Sequence, residues 1–222
     1  MNTDRNIILK RTLLVCFLLS FIFTVFAQKK IKIACVGNSI TYGHGIADRE
    51  HDTYPAVLGR LLGDAYEVRN FGISGRTLMN KGDSPYMKEQ IYKDALLYQP
   101  DIVTIKLGTN DSKPQNWKYN STFKDDLKTL VRSFQGLPSH PKVYLCLPIP
   151  ATAPAWNISD SVIVSGVIPY IKEVADEMNL EVLDLYTAFT PYVHLLPDSV
   201  HPNEDGAAVI AHMLSEFLRK QE

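Results

Sequence analysis

The stretch Ile31-Lys32-Ile33-Ala34-Cys35-Val36-Gly37-Asn38-Ser39-Ile40-Thr41-Tyr42-Gly43 decides how the chain is read. Residues 31–36 are a short apolar run closed by glycine, the pattern of a buried strand. Residues 37–43 are a tight polar turn leaving the end of that strand. In an open α/β sheet, ligands collect in the crevice beyond the carboxyl ends of the strands. Ser39 therefore falls at the rim where chemistry is done. A serine there is either a cap or turn residue or a nucleophile, and residues elsewhere in the chain choose between the two.

Working outward, strand-like and helix-like segments alternate to the C-terminus. Residues 66–71, 102–107, 142–147 and 181–185 read as further strands, and residues 53–62, 86–98, 122–134, 162–178 and 205–219 carry helical apolar spacing. Gly63 and Gln99-Pro100 supply stop signals, and Pro169 is expected to kink its helix or mark a late start. Such alternation predicts an α/β fold of right-handed βαβ crossovers, with a parallel sheet covered on both faces. The irregular stretches 83–87, 112–121 and 151–160 follow strand ends or their turns, where loops build sites.

A chain of 222 residues suits one domain with a substantial core, and its formal net charge of -1 gives no electrostatic case for nucleic acid or an anionic membrane surface. Residues 1–27 stand apart. Arg5, Lys10 and Arg11 precede an apolar run, residues 12–26, of signal-peptide length and short for a membrane span. They are expected to be a secretory signal cleaved after Ala27, leaving residues 28–222 as a single secreted or periplasmic domain with no membrane attachment. An uncleaved N-terminal anchor is the alternative. Cys35 and Cys146 remain, each inside an apolar strand-like run, and are expected to be buried thiols rather than a disulfide.

Polar clusters gather at one predicted edge of the sheet. Gly37, Asn38 and Ser39 follow the first strand, Gly72 the second, and Gly108, Asn110 and Asp111 the third, while Asp198-Ser199-Val200-His201 follows the fifth. A serine needs a base to lose its proton, and His201 is suited to it because histidine titrates near neutrality. Asp198, three residues earlier, can hold the other ring nitrogen. A tetrahedral intermediate needs N–H donors aimed at its oxyanion. Candidates are the backbone of Ser39, the backbone of Gly72 and the side-chain amide of Asn110. Asp111 is expected to brace its loop rather than react. The histidines and cysteines show no metal-ligand spacing, so neither metal nor cofactor is expected.

These four blocks stand in the order of the SGNH (GDSL-type) serine hydrolase family, which the chain resembles over residues 31–218. The resemblance implies a flavodoxin-like three-layer α/β/α fold with five parallel strands in the order 2-1-3-4-5. It implies Ser39 as nucleophile, His201 as base and Asp198 as orienting acid, with Ser39, Gly72 and Asn110 as oxyanion donors. Asn38 stands where the family name has Asp, outside the triad. Residues 43–53 and 71–77 further resemble exported esterases of this family that deacetylate glycans.

The expected activity is hydrolysis of small acyl esters, acetyl foremost, on a carbohydrate or other small-molecule ester, through an acyl-enzyme. Trp117 and Trp156, in irregular loops, either stack on a sugar or close a small core beneath the loop. Tyr86 either faces the cleft or belongs to a helix entry with Asp83 or Ser84 as cap and Pro85 first. Arg76 is expected in a surface salt bridge. Two rival readings stand: a lysophospholipase or thioesterase with an apolar groove along Leu78, Met79 and Ile158, and a catalytically inactive glycan-binding relative. Oligomeric state is not legible.

Overall fold

A computed structural model describes residues 29–153 and 155–221. The expected signal segment, residues 1–27, lies outside the described residues. Five parallel strands, β1 (Ile31–Gly37), β2 (Tyr66–Gly72), β3 (Ile102–Lys106), β4 (Lys142–Cys146) and β5 (Val182–Leu183), form one sheet. Their order is β2-β1-β3-β4-β5, as expected.

The strands alternate their side chains between two cores. Ala34, Val36, Val103 and Ile105 face one core with Leu127, Leu130, Val131 and Phe134 of the Phe123–Gln135 helix, spaced i, i+3, i+4 and i+7. Ile33 and Cys35 face the other with Leu58 of Tyr54–Leu62 and with Ala207, Ile210, Ala211 and Leu214 of Glu204–Arg219. The result is a three-layer α/β/α fold. Cys35 and Cys146 are free and buried, and burial pushes both thiols up to about 12, well out of the reactive range. No helix among the described residues is long and apolar enough to cross a membrane.

Lys106 is the one charged residue type set inside this second core from β3. Val103 and Ile105 point into the first core, so the strand's alternation sends Lys106 to the opposite face. It is 1% exposed, and Nζ has no hydrogen-bond partner among the described residues. Burial pulls its ammonium down to about 7.

Several expected elements are redrawn. Residues 86–98 are not one helix: a 3-10 turn, Tyr86–Lys88, is separated from the Gln90–Leu97 helix by Glu89 in an extended conformation. The turn begins after Pro85, with no side-chain cap from Asp83 or Ser84. Pro169 marks a late start, in the first turn of Ile168–Met178, behind a π-turn at Ile163–Val167. The fifth strand shrinks to two residues because Asp184 caps a further helix, Leu185–Phe189, its carboxylate accepting from Thr187 N at 2.9 Å.

Candidate active site

Ser39 is carried on a one-turn helix, Ser39–Tyr42, that begins where β1 ends. Gly37 must be glycine there, because a Cβ would stand 2.0 Å from Thr41 Oγ1. Asn38 caps the turn, its Oδ1 accepting from Ile40 N at 3.1 Å. As the first residue of the turn, Ser39 has no intrahelical acceptor for its own N–H.

His201 reaches the same point from the far end of the chain. Its loop is pinned by Ser199 N donating to Leu196 O and Asn203 N to Leu195 O, and Asn203 then caps Glu204–Arg219 through Gly206 N. His201 Nε2 lies 2.8 Å from Ser39 Oγ, and both residues are 8% exposed. On its other side, Nδ1 lies 2.7 Å from Asp198 Oδ2. A carboxylate only accepts, so Nδ1 carries the proton and Nε2 is left to accept the serine hydroxyl.

Asp198 is held by four donors. Oδ1 accepts from Val200 N at 3.0 Å and His201 N at 2.7 Å, while Oδ2 accepts from His201 Nδ1 and, at 3.0 Å, from Trp156 Nε1. Burial alone would raise the Asp198 carboxyl, but the His201 and Val200 N–H groups hold it down to about 2. Burial lowers His201 below the ordinary histidine value, against the opposing pull of Asp198.

A cleft of about 220 Å³ opens over Ser39 and His201, walled by Asn110, Gly75, Trp156 and Ile158, with His44 and Lys113 at its edges. Asn110 Nδ2 donates one hydrogen to Arg76 O at 3.1 Å, which leaves its second hydrogen for the cleft. Asp111 is fully buried and accepts from Leu78 N at 2.9 Å and Met79 N at 2.8 Å, bracing the 75–79 segment against the Asn110 turn. Burial pushes its carboxyl up to about 6. Arg76 pairs with Glu89 at 2.9 Å.

Three expected site residues are corrected. Gly72 does not offer its N–H to the cleft: it ends the β1–β2 ladder opposite Gly37, and its N–H donates to Asn70 Oδ1 at 2.9 Å. Gly75, at φ 80°, lines the cleft instead, and its N–H has no partner among the described residues. Tyr86 is wholly buried and its hydroxyl donates to Phe71 O at 2.7 Å, so it cannot face a substrate. Trp117 packs on Tyr170 and Phe123, with its ring over Gly166, closing a small core beneath the loop. Leu78 and Met79 are 1% and 0% exposed, core residues rather than a groove.

Ligand atoms of His44, Asp198 and His201 lie within 4.8 Å of one another. Asp198 and His201 are already engaged with each other, and His201 with Ser39, which leaves His44 alone as a free donor. The arrangement suits proton transfer rather than metal binding.

Residues 35–209 match the GDSL-like Lipase/Acylhydrolase family. The chain belongs to that family. This GDSL-like chain is 44% identical over 210 residues to a protein named acetylxylan esterase from Xylanibacter ruminicola, the match covering 86% of this chain and 44% of that one. The chain thus spans less than half the length of that relative. Among solved structures, it is similar to a carbohydrate acetylesterase from Sinorhizobium meliloti, with TM-score 0.71 at 20% identity over 87% of this chain and 100% of the other. It is also similar to a lipase/acylhydrolase from Enterococcus faecalis, with TM-score 0.71 at 25% identity over 86% of this chain and 96% of the other. At these identities the structural likeness speaks to the fold, which the GDSL-like chain shares along most of its length.

Proposed function

We propose that the chain is a serine esterase that removes small acyl groups, acetyl foremost, from carbohydrate esters. Residues 28–222 form its catalytic domain, and residues 1–27 direct its export. The observation that carries the reading is the 2.8 Å approach of His201 Nε2 to Ser39 Oγ, backed by Asp198 at 2.7 Å. His201 takes the hydroxyl proton as Ser39 Oγ attacks the ester carbonyl carbon. The carbonyl oxygen becomes an oxyanion against the Ser39 and Gly75 N–H groups and the free Asn110 amide hydrogen. Collapse breaks the ester bond, and His201 returns the proton to the leaving sugar hydroxyl. Water, deprotonated by the same imidazole, then releases the acid and restores Ser39.

Size supports a short acyl group. A cleft of about 220 Å³ is small beside ordinary ligand pockets, and of the apolar side chains that a long chain would need, Leu78 and Met79 are sealed in the core while Ile158 alone reaches the cleft wall. The 44% identical relative named acetylxylan esterase supports a carbohydrate as the alcohol part. Hydrolysis of 4-nitrophenyl acetate is expected to exceed that of the octanoate and palmitate esters by about 100-fold or more in kcat/KM. Acetate release from O-acetylated xylan, pectin and sialic acid then names the sugar. Preference for the long chains would turn the assignment toward a lipid esterase. No turnover, with Ser39 unlabelled by a fluorophosphonate, would make the protein a binding relative.

Asn110→Ala is expected to lower kcat on 4-nitrophenyl acetate by ~10²–10³-fold with KM little changed, since the amide hydrogen not given to Arg76 O meets the substrate only as the oxyanion forms. A loss of less than about tenfold would remove Asn110 from the donor set.

A further inference from the structure

Trp156 stands where the 151–161 loop meets the Asp198–His201 pair. Its backbone is left-handed at φ 57°, and Asn157 follows at φ 58°. Asparagine accepts that conformation readily, whereas a bulky aromatic residue disfavours it, and such outliers persist where the surroundings hold them for a purpose. The turn swings the indole over the site. Its Nε1 donates to Asp198 Oδ2 at 3.0 Å, the same oxygen that accepts from His201 Nδ1. The ring stands edge-on to His44 and His201, with centroids 5.5 and 5.6 Å away. Yet Trp156 is 56% exposed, so burial of apolar surface does not hold it there.

We propose that Trp156 is a positioning residue: its indole N–H fixes the Asp198 carboxylate, and through it the His201 ring, while its open face receives the sugar that carries the ester. Docking of the alcohol part and orientation of the base thus share one side chain. The inference rests on the hydrolase reading given above and adds to it a link between loop and base.

The link has a signature in pH. Two donors share Asp198 Oδ2, so removing the indole N–H leaves more of that oxygen's charge to His201 Nδ1–H. The imidazolium is then better stabilised, and the histidine takes up its proton at higher pH. His201 acts as base only when neutral, so the acid limb of kcat/KM moves upward. In the wild type that limb falls below the ordinary histidine range, because burial lowers His201. The other groups facing His201 are Ser39, His44 across the cleft, Lys106 from β3 and Lys113 on the cleft wall, and neither variant alters any of them.

Trp156→Phe keeps the ring and loses the donor. It is expected to lower kcat about 3–10-fold, leave KM for 4-nitrophenyl acetate unchanged, and raise the acid limb by about 0.3–0.5 pH unit. Trp156→Ala is expected to do the same and also raise KM on acetylated xylo-oligosaccharides, though not on 4-nitrophenyl acetate, which has no sugar. Melting temperatures of both variants separate these effects from loss of fold. A Trp156→Phe enzyme with wild-type kcat and an unmoved acid limb would overturn the inference. So would a fall in kcat that follows melting temperature while the limb stays put. Full activity in Ser39→Ala would instead overturn the serine-nucleophile reading, and a wild-type enzyme that turns over no ester would overturn the hydrolase reading itself.

Discussion

Ser39→Ala is expected to lose at least ~10⁴-fold in kcat/KM on 4-nitrophenyl acetate and all labelling by a fluorophosphonate. Among the described residues Ser39 Oγ has one hydrogen-bond partner, His201 Nε2, and it opens onto the cleft. Removing it takes away the only hydroxyl bonded to His201 among the described residues and leaves the proposed oxyanion donors intact. What survives is their slow assistance to attack by water. The fold should scarcely notice, because the turn is held by Gly37, the Asn38 cap and backbone bonds rather than by the serine oxygen. A melting temperature within about 2 °C of wild type is expected, a change of no more than about 1 kcal/mol. A variant that retained more than about a tenth of the activity would mean that attack comes from a water activated directly by His201, and the acyl-enzyme route would fall.

Lys106→Met is expected to stabilise the protein by about 2–4 kcal/mol at pH 7, a rise of about 5–10 °C in melting temperature. The native amine is enclosed in the second core with no partner for Nζ, and burial brings it down to about 7. The unfolded chain keeps its lysine protonated up to about 10.5. Between these values the unfolded state binds the extra proton, so wild-type stability climbs with pH by up to about 1.4 kcal/mol per pH unit. The variant lacks that climb. The gap between the two is therefore widest below pH 7 and closes toward pH 10, which chemical denaturation at several pH values measures directly. A variant less stable than wild type at pH 7 would mean that the amine holds the core together rather than straining it.

Much of this was legible in the sequence, for reasons that differ from element to element. The central strands β1, β3 and β4 are largely apolar runs because both faces of a parallel sheet are covered, whereas the edge strand β2 alternates polar and apolar residues, and a glycine or proline follows each of the four closely. The fifth read too long because Asp184 continues the alternation of a strand while its side chain caps the next helix, a choice made by Thr187 three residues on. That Ser39, Asn110, Asp198 and His201 would lie together was legible because each follows a strand end or stands in a short motif of defined spacing.

Gly75 was missed in favour of Gly72 because two glycines three residues apart look alike until the ladder is drawn. β2 runs through Gly72 and stops, so only the later glycine stands free in the cleft. The loop aromatics were undecidable for another reason. Trp117 and Trp156 both follow strand ends, and only tertiary contact, Gly166 beneath the first and Asp198 beside the second, gives them opposite fates.

The 162 residues that separate Ser39 from His201 also bear on how the protein is made. During synthesis the hydroxyl leaves the ribosome long before the imidazole exists, and β1 waits at the middle of the sheet for partners on both sides. No shorter piece of the chain holds both halves of the proton relay. On the proposed mechanism, a nascent or half-folded molecule would be chemically silent toward esters, and turnover would begin only once the C-terminal helix, with the loop ahead of it, had closed onto the second core.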